Sequence, residues 1–163
     1  MSIIWGWIPL IDDRDKEILR ILQRDGKATV KDLARIVNSP VTTVYSRVKR
    51  LERDGYIKNY VAILDEKKLG FSTTAFILVS FSYEAGGRKL DQREVAREIS
   101  KFPEVQEVHI ITGDWDMILK VKVRDVNELG QFIVDKLRKV VGVEKTLTSV
   151  SLESIKEDTG IPI

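Results

Sequence analysis

The apolar positions between residues 38 and 56 recur at intervals of three and four, which predicts a short amphipathic helix. They are Val41, Val44, Val48 and Leu51. Pro40 in the first turn and Ser39 as a candidate cap mark the start of this helix, and Gly55 marks its end. The other faces carry small hydroxyls near the start and cations along the body, namely Thr42, Thr43, Ser46, Arg47, Lys49, Arg50 and Arg53.

A helix with this arrangement suits contact with double-stranded DNA. Its first turns bring hydroxyls to base edges in the major groove, and the cations along its flanks neutralise phosphates. The same pattern also fits the solvated face of an ordinary core helix. The neighbouring segments favour DNA.

Two shorter helical patterns precede this helix. The first starts near Asp12 or Asp13 and ends at Gly26, and the second spans residues 30–37 with Thr29 as its cap. We expect these helices to bury Ile11, Ile18, Leu19 and Leu22, then Val30, Leu33, Ala34 and Val37. Asn38 tolerates the left-handed conformation that ends such a helix. About three residues separate the second and third helices, the connection of a helix-turn-helix.

The apolar segment after Gly55 predicts a wing. Residues 56–64 are interpreted as two short strands around Lys58 and Asn59, with Lys58 at the tip in reach of a phosphate. Three helices followed by such a hairpin form a winged helix. We therefore expect a DNA-binding domain over residues 12–64, after an apolar arm at residues 1–11.

The pattern changes after residue 73 and predicts a second domain over residues 74–155. It contains strands at 74–83, 105–112, 115–123 and 143–155, and helices at 90–102 and 126–140. The order βαββαβ is typical of a ferredoxin-like domain, a four-stranded antiparallel sheet with two helices on one face. The predicted fold class is α+β, with a linker at 65–73 and a tail at 156–163.

Both faces of the first strand of this domain are apolar. Phe76 and Leu78 alternate with Ile77, Val79 and Phe81, although helices cover only one side of such a sheet. A second copy of the chain is the economical cover for the other side. A homodimer also places two recognition helices about 34–36 Å apart, which suits a palindromic operator.

Composition and charge narrow the function further. The 163 residues contain no cysteine and one histidine, His109, so the sequence lacks the parts of a catalytic triad or a metal centre. We therefore expect no enzyme activity and no cofactor. The net charge is +4 over residues 1–70 and −2 over the rest, which fits a basic DNA-binding half. The apolar first eleven residues lack the features of a signal peptide or a membrane span, so we expect a cytoplasmic location.

Several motifs together resemble the Lrp/AsnC (leucine-responsive, feast/famine) family of prokaryotic transcription regulators. In the first half they are the segment 11–19, Asp25-Gly26-Lys27, Leu33-Ala34, the residues Val44, Arg47, Val48, Leu51 and Glu52, Gly55 and Ile57-Lys58. In the second half they are Gly113-Asp114-Trp115-Asp116 and Thr146-Leu147-Thr148. The resemblance covers the chain from about Ile11 to its end.

The resemblance implies a DNA-binding winged helix joined to an effector-binding domain that forms dimers and higher rings, commonly octamers. The effectors of that family are small molecules, usually amino acids, bound between neighbouring domains. The implied effector contacts are Gly113, Asp114, Trp115, Asp116, Thr148 and Ser149. Asp114 and Asp116 would receive an amino group, and Thr148 and Ser149 would face a carboxylate, although these residues equally suit a turn and a strand.

A second hypothesis belongs to a different class. The chain is also interpretable as an oligomeric small-molecule-binding module, or a subunit of amino-acid metabolism, whose winged helix contacts protein. Weak binding to DNA that does not depend on salt would favour this alternative, because phosphate neutralisation must weaken steeply as salt rises.

Overall fold

A computed structural model describes residues 11–163 of the chain. Contacts divide it into two compact units, one that runs to Ile63 and includes Lys156–Ile163, and one that spans Leu64–Ile155. The predicted arm at residues 1–11 lies outside the described residues, except for Ile11. Each unit has its own hydrophobic core.

Three helices build the first unit, and its first two helix starts are those that the sequence predicts. Helix α1 spans Asp13–Arg24 and helix α2 spans Val30–Ile36. Each begins with a capping box, in which the side chains of the cap and of the third helical residue bond to each other's backbone N–H, Asp12 with Asp15 and Thr29 with Asp32. Asn38 follows α2 with a φ of 47°, as predicted for the left-handed turn residue.

Helix α3 spans Val41–Arg53 and corresponds to the predicted recognition helix. Its start differs from the prediction, because the N-cap is Pro40 and no side chain caps the first turn. The Ser39 hydroxyl instead accepts a hydrogen bond from the Arg14 guanidinium at 2.9 Å. Gly55 follows the helix with a φ of 78°, which confirms the predicted end.

The predicted strands of the wing are wrong within the described chain. Residues 57–65 form no strand there, and Val61 and Ile63 are 74% and 82% exposed. The segment has the apolar alternation of a strand but no neighbouring strand of the same chain to supply backbone hydrogen bonds. Lys58, the predicted tip of the wing, is exposed in this irregular segment.

The core of the first unit joins its three helices. It consists of Ile18, Leu19, Leu33, Ala34, Val37, Val44, Val48 and Leu51. The tail packs on the same unit, where the Gln23 side chain accepts a hydrogen bond from the backbone N–H of Ile161 and donates one to its carbonyl oxygen. Ile163 adds an apolar contact to the core.

The second unit is built on one antiparallel sheet. Its strands are β1 (Thr73–Phe81), β4 (Val105–Ile110), β5 (Met117–Val123) and β6 (Val143–Val150), in the order β4-β5-β1-β6. A two-stranded hairpin, β2 (Glu84–Ala85) and β3 (Arg88–Lys89), turns at Gly86 and Gly87. This is the predicted ferredoxin-like topology, with each strand starting within two residues of its predicted position.

Helices α4 (Gln92–Ile99) and α5 (Val126–Gln131) supply the helical layer. The single helix predicted over 126–140 is wrong in detail, because α5 continues as a π-helical turn at Phe132–Lys136 and a 3₁₀ turn at Leu137–Lys139. These turns keep Phe132 and Leu137 buried in the core. The apolar periodicity of the sequence therefore does not distinguish the π and 3₁₀ turns from a continuous α-helix.

One face of the sheet is buried in the core, and the other is partly exposed. Ala75, Ile77, Val79 and Phe81 of β1 are buried in the core. On the opposite face, Leu78 lies between Ile118 of β5 and Leu147 of β6. Phe76 and Leu147 on this face are 40% and 50% exposed, so a partly apolar surface is left open in the single chain.

Candidate nucleic-acid interface and effector site

The exposed side of α3 carries most of the predicted DNA contacts. Val44, Val48 and Leu51 turn one side of the helix into the core. The helical period therefore places five of the predicted residues on the exposed side, namely Thr42, Thr43, Ser46, Lys49 and Arg53. The structure thus brings hydroxyls and cations together on a single outward surface.

The exposed cations Lys49 and Arg53 of α3 pair with carboxylates close to them in the sequence. The Lys49 ammonium lies 2.8 Å from the Glu52 carboxylate, and the Arg53 guanidinium lies 2.9 Å from Asp54. The bond from Lys49 holds the pKa of Glu52 below its usual range, and the same bond raises the pKa of Lys49. Such exposed pairs contribute little to stability, because the surrounding water screens their charges. A phosphate can therefore displace these carboxylates at little cost.

Arg47 and Arg50 have a different environment. Arg47 donates to Asp12 at 2.6 Å and to Asp15 at 2.8 Å, and Arg50 also donates to Asp15. Hydrogen bonds from the Asp15 backbone N–H and from Arg47 lower the pKa of Asp12, and the bonds to Asp12 and Asp15 raise the pKa of Arg47. Two of the predicted DNA contacts are thus tied to the start of α1.

Asp12 and Asp15 are functional candidates that the sequence did not single out. Their spacing of three residues is visible as a capping box, which explains both carboxylates as local structure. Contact with α3 depends on how α1 and α3 pack, and neither periodicity nor charge counting reports that. Only the folded unit shows the pairing.

The predicted effector residues fall into separate roles. The Asp116 carboxylate accepts a hydrogen bond from the Phe81 backbone N–H at 2.7 Å, which fixes the start of β5 beside the end of β1. Asp114 is exposed and Trp115 is half-buried. Gly113 turns the chain with a φ of 121°, a conformation that side-chain-bearing residues rarely adopt. Asp114 and Trp115 are therefore the more available of the turn residues.

Thr148 and Ser149 lie on opposite faces of the sheet. Thr148 pairs with the buried Ile77, and Ser149 pairs with Phe76 of the open face. Successive side chains of a strand point to opposite sides, so the two hydroxyls of one chain do not converge on one ligand. The structure separates a pair that the sequence placed together.

The open face of the sheet also holds a polar cluster. The Glu107 carboxylate lies 3.1 Å from His109 and 3.5 Å from Lys120. The hydrogen bond with His109 is the main cause that holds the pKa of Glu107 below its usual value. The open face is therefore apolar around Leu78 and charged around Glu107.

The described part of the chain has neither a membrane-spanning helix nor a cluster of metal ligands. From Ile11 onward, no helix is long and apolar enough to cross a membrane. Over the same residues, no three or more His, Cys, Asp or Glu side chains gather as a metal site would need.

Comparison with known proteins identifies both units. The family model of the Lrp/AsnC ligand-binding domain matches residues 74–161, and that of a winged helix-turn-helix DNA-binding domain matches residues 11–58. The chain belongs to the Lrp/AsnC family of transcription regulators.

Relatives of the family match over nearly the whole chain. An HTH-type transcriptional regulator of Pyrococcus abyssi is 40% identical over 91% of this chain and 97% of its own length. The HTH-type transcriptional regulator FL11 of Pyrococcus horikoshii is 40% identical over 96% of this chain and 98% of its own. This protein is thus an HTH-type regulator of the Lrp/AsnC type.

A solved structure of the family is also similar. It is a transcriptional regulator of Neisseria meningitidis in complex with L-methionine, 31% identical, with a TM-score of 0.87. The alignment covers 94% of this chain and 97% of that one. The likeness includes both the DNA-binding and the ligand-binding domain.

Proposed function

We propose that this Lrp/AsnC regulator binds double-stranded DNA through α3 and acts without catalysis. The exposed surface of α3 carries the proposal, because its hydroxyls and cations face outward on the side opposite the core. Thr42, Thr43 and Ser46 then meet base edges, and Lys49 and Arg53 meet phosphates. Arg50 and the exposed Lys58 extend this basic surface.

Substitution of one exposed cation tests this assignment. Arg53→Ala should weaken binding to the protein's own promoter fragment about tenfold, as expected for a charged hydrogen bond of roughly 1.5 kcal/mol. Lys139→Ala is the control, since Lys139 is an exposed helical cation of the second unit with its own carboxylate partner, Asp135. Fluorescence anisotropy measures both dissociation constants. Equal effects of the two substitutions would argue against α3 as the DNA-binding element.

A small amino acid is the proposed effector, bound by the second unit. The L-methionine complex of the Neisseria regulator supports this class of ligand. Asp114 is the best-placed carboxylate of the predicted set for an amino group, because it is exposed whereas Asp116 binds the backbone. Trp115 beside it offers an aromatic surface.

The effector is tested by thermal unfolding in the presence of amino acids. One or more L-amino acids, with L-methionine the first choice, should raise the melting temperature, and the matching D-amino acids should not. Asp114→Asn should reduce the rise without changing the melting temperature of the free protein. If no L-amino acid shifts the transition, the protein acts without this class of effector.

The assembly we propose is a homodimer that covers the open face of the sheet, with octamers built from dimers. Phe76, Leu78 and Leu147 give this face an apolar surface. The exposed Val61 and Ile63 form a separate apolar surface on the first unit. A dimer presents two α3 helices to the two halves of a palindromic operator. Effector binding then favours one assembly over another, a coupling of about 1–3 kcal/mol.

A further inference from the structure

Asp15 is a buried acid at the third position of α1. Its side chain is only 1% exposed, and one of its oxygens accepts the Asp12 backbone N–H at 3.1 Å. The carboxylate also accepts hydrogen bonds from Arg47 and Arg50 of α3. One carboxylate therefore holds two cations of the predicted recognition helix.

The buried charge of Asp15 depends on the two guanidinium groups that it binds. A buried carboxylate without a partner is costly, and removing one partner of a buried ion pair is strongly destabilising. Here the exposed Asp12 shares Arg47 with Asp15, so two acids face two guanidinium groups. The two negative charges of this cluster are balanced by two positive ones. Removal of either arginine would leave the buried Asp15 carboxylate with one cation fewer.

The two arginines differ in what they can still contact. Arg47 is bound by two carboxylates and its side chain is 23% exposed, whereas Arg50 is bound by Asp15 and is 41% exposed. A guanidinium has five N–H donors in a rigid fork, so Arg50 can donate to Asp15 and to a second acceptor together. The geometry suits Arg50 for DNA and Arg47 for anchoring.

We infer that Asp15 is a positioning residue that sets the sequence specificity of this regulator. It retains Arg47 inside the protein and presents Arg50 to DNA in one fixed orientation. The inference rests on the proposed binding of DNA by α3. Without Asp15, both arginines become mobile cations that can meet phosphates of any sequence, which strengthens non-specific binding at the expense of discrimination.

The test compares Asp15→Asn with Asp13→Asn in the full chain. Both substitutions remove one negative charge from the first turn of α1, but Asp13 is fully exposed and pairs with Lys16 of the same helix at 3.6 Å. Dissociation constants are measured on the protein's own promoter fragment and on a scrambled fragment of equal length, at several salt concentrations. The ratio of the two constants reports specificity.

Asp15→Asn should lower the specificity ratio at least tenfold. Binding to the scrambled fragment should tighten, and its log–log salt dependence should steepen by about 0.9 for each phosphate gained. Asp13→Asn should shift both fragments by the same factor. An Asp15→Asn variant that behaves like Asp13→Asn, or that loses affinity for both fragments equally, would overturn the inference.

A second variant, Asp12→Asn, tests the inference if Asp15→Asn does not fold. Asp12→Asn keeps a good helix cap and removes one of the two carboxylates that hold Arg47, so it should lower the specificity ratio in the same direction by a smaller factor. An unchanged ratio in a folded Asp12→Asn protein counts against the inference. If the wild type does not prefer its promoter fragment, the proposed function fails first and the inference fails with it.

Discussion

At the scale of single residues, close packing constrains a turn in the second unit. Gly142 has a φ of 101° and precedes β6. A Cβ added there would lie 2.9 Å from the Phe81 ring and 3.1 Å from the Leu90 side chain. Both the backbone conformation and the contact therefore require glycine at this position.

Gly142→Ala should lower the free energy of unfolding by about 1–3 kcal/mol, because it combines backbone strain with a core clash. Gly130→Ala is the matched control, since its added Cβ meets nothing and the residue lies inside α5. That substitution should stabilise the protein by about 0.5–1 kcal/mol. Urea unfolding measures both changes, and equal effects would contradict the packing argument.

The sequence predicts the structural role of a single residue best where its neighbours in the chain determine that role. The helix start near Asp12, the cap at Thr29, the left-handed Asn38 and the break at Gly55 follow from short-range preferences and are present in the structure. Ser39 is the exception, because its hydroxyl accepts from Arg14, a residue 25 positions away. Roles set by distant partners are not visible in a local pattern.

At the scale of elements, periodicity predicts helices and strands but not their fine geometry. The segment after Gln131 keeps its apolar period while the backbone changes to a π turn and a 3₁₀ turn. The predicted wing strands show the opposite case, since Val61 and Ile63 alternate like a strand but have no partner strand within the described chain. Pairing and register are tertiary properties.

The start of α1 gives a prediction for acid conditions. The pKa of Asp12 is lowered in the folded state by the hydrogen bond from the Asp15 N–H and by Arg47, so the unfolded state binds its proton first as the pH falls. The free energy of unfolding contributed by Asp12 is therefore present above its unfolded pKa of about 3.9 and is lost below it.

Asp12→Asn tests this expectation because asparagine keeps the cap but does not titrate. The variant should be less stable than the wild type at pH 7, and the difference should shrink as the pH falls below about 4. Denaturant unfolding at several pH values gives the difference. A gap that stays constant from pH 7 to pH 3 would show that the Asp12 charge contributes nothing.

At the scale of the whole molecule, the open sheet face is the main feature that one chain leaves unsatisfied. The sequence predicts this face from the two apolar sets of β1, and the structure locates it on Phe76, Leu78, Ile118 and Leu147. The polar cluster at Glu107, which pairs across strands, was not predictable without the register. An apolar area beside a charged one is typical of a specific protein interface.

Leu147→Lys should therefore shift the protein from dimer towards monomer, because it places a charge within the proposed interface. Leu152→Lys makes the same chemical change at a fully exposed leucine and should leave the assembly unchanged. Sedimentation velocity distinguishes the two results. If Leu147→Lys sediments as the wild type does, the sheet face is not the dimer interface.

Binding of DNA through α3 is tested most directly by a salt titration. The wild-type protein is titrated on its own promoter fragment and on a scrambled fragment. Binding through the exposed cations of α3 predicts tight, selective association whose logarithm falls linearly with the logarithm of salt concentration, with a slope of about −0.9 per phosphate contacted. Arg53→Ala should reduce the slope by about one contact. Weak binding that is equal on both fragments and indifferent to salt would contradict the account.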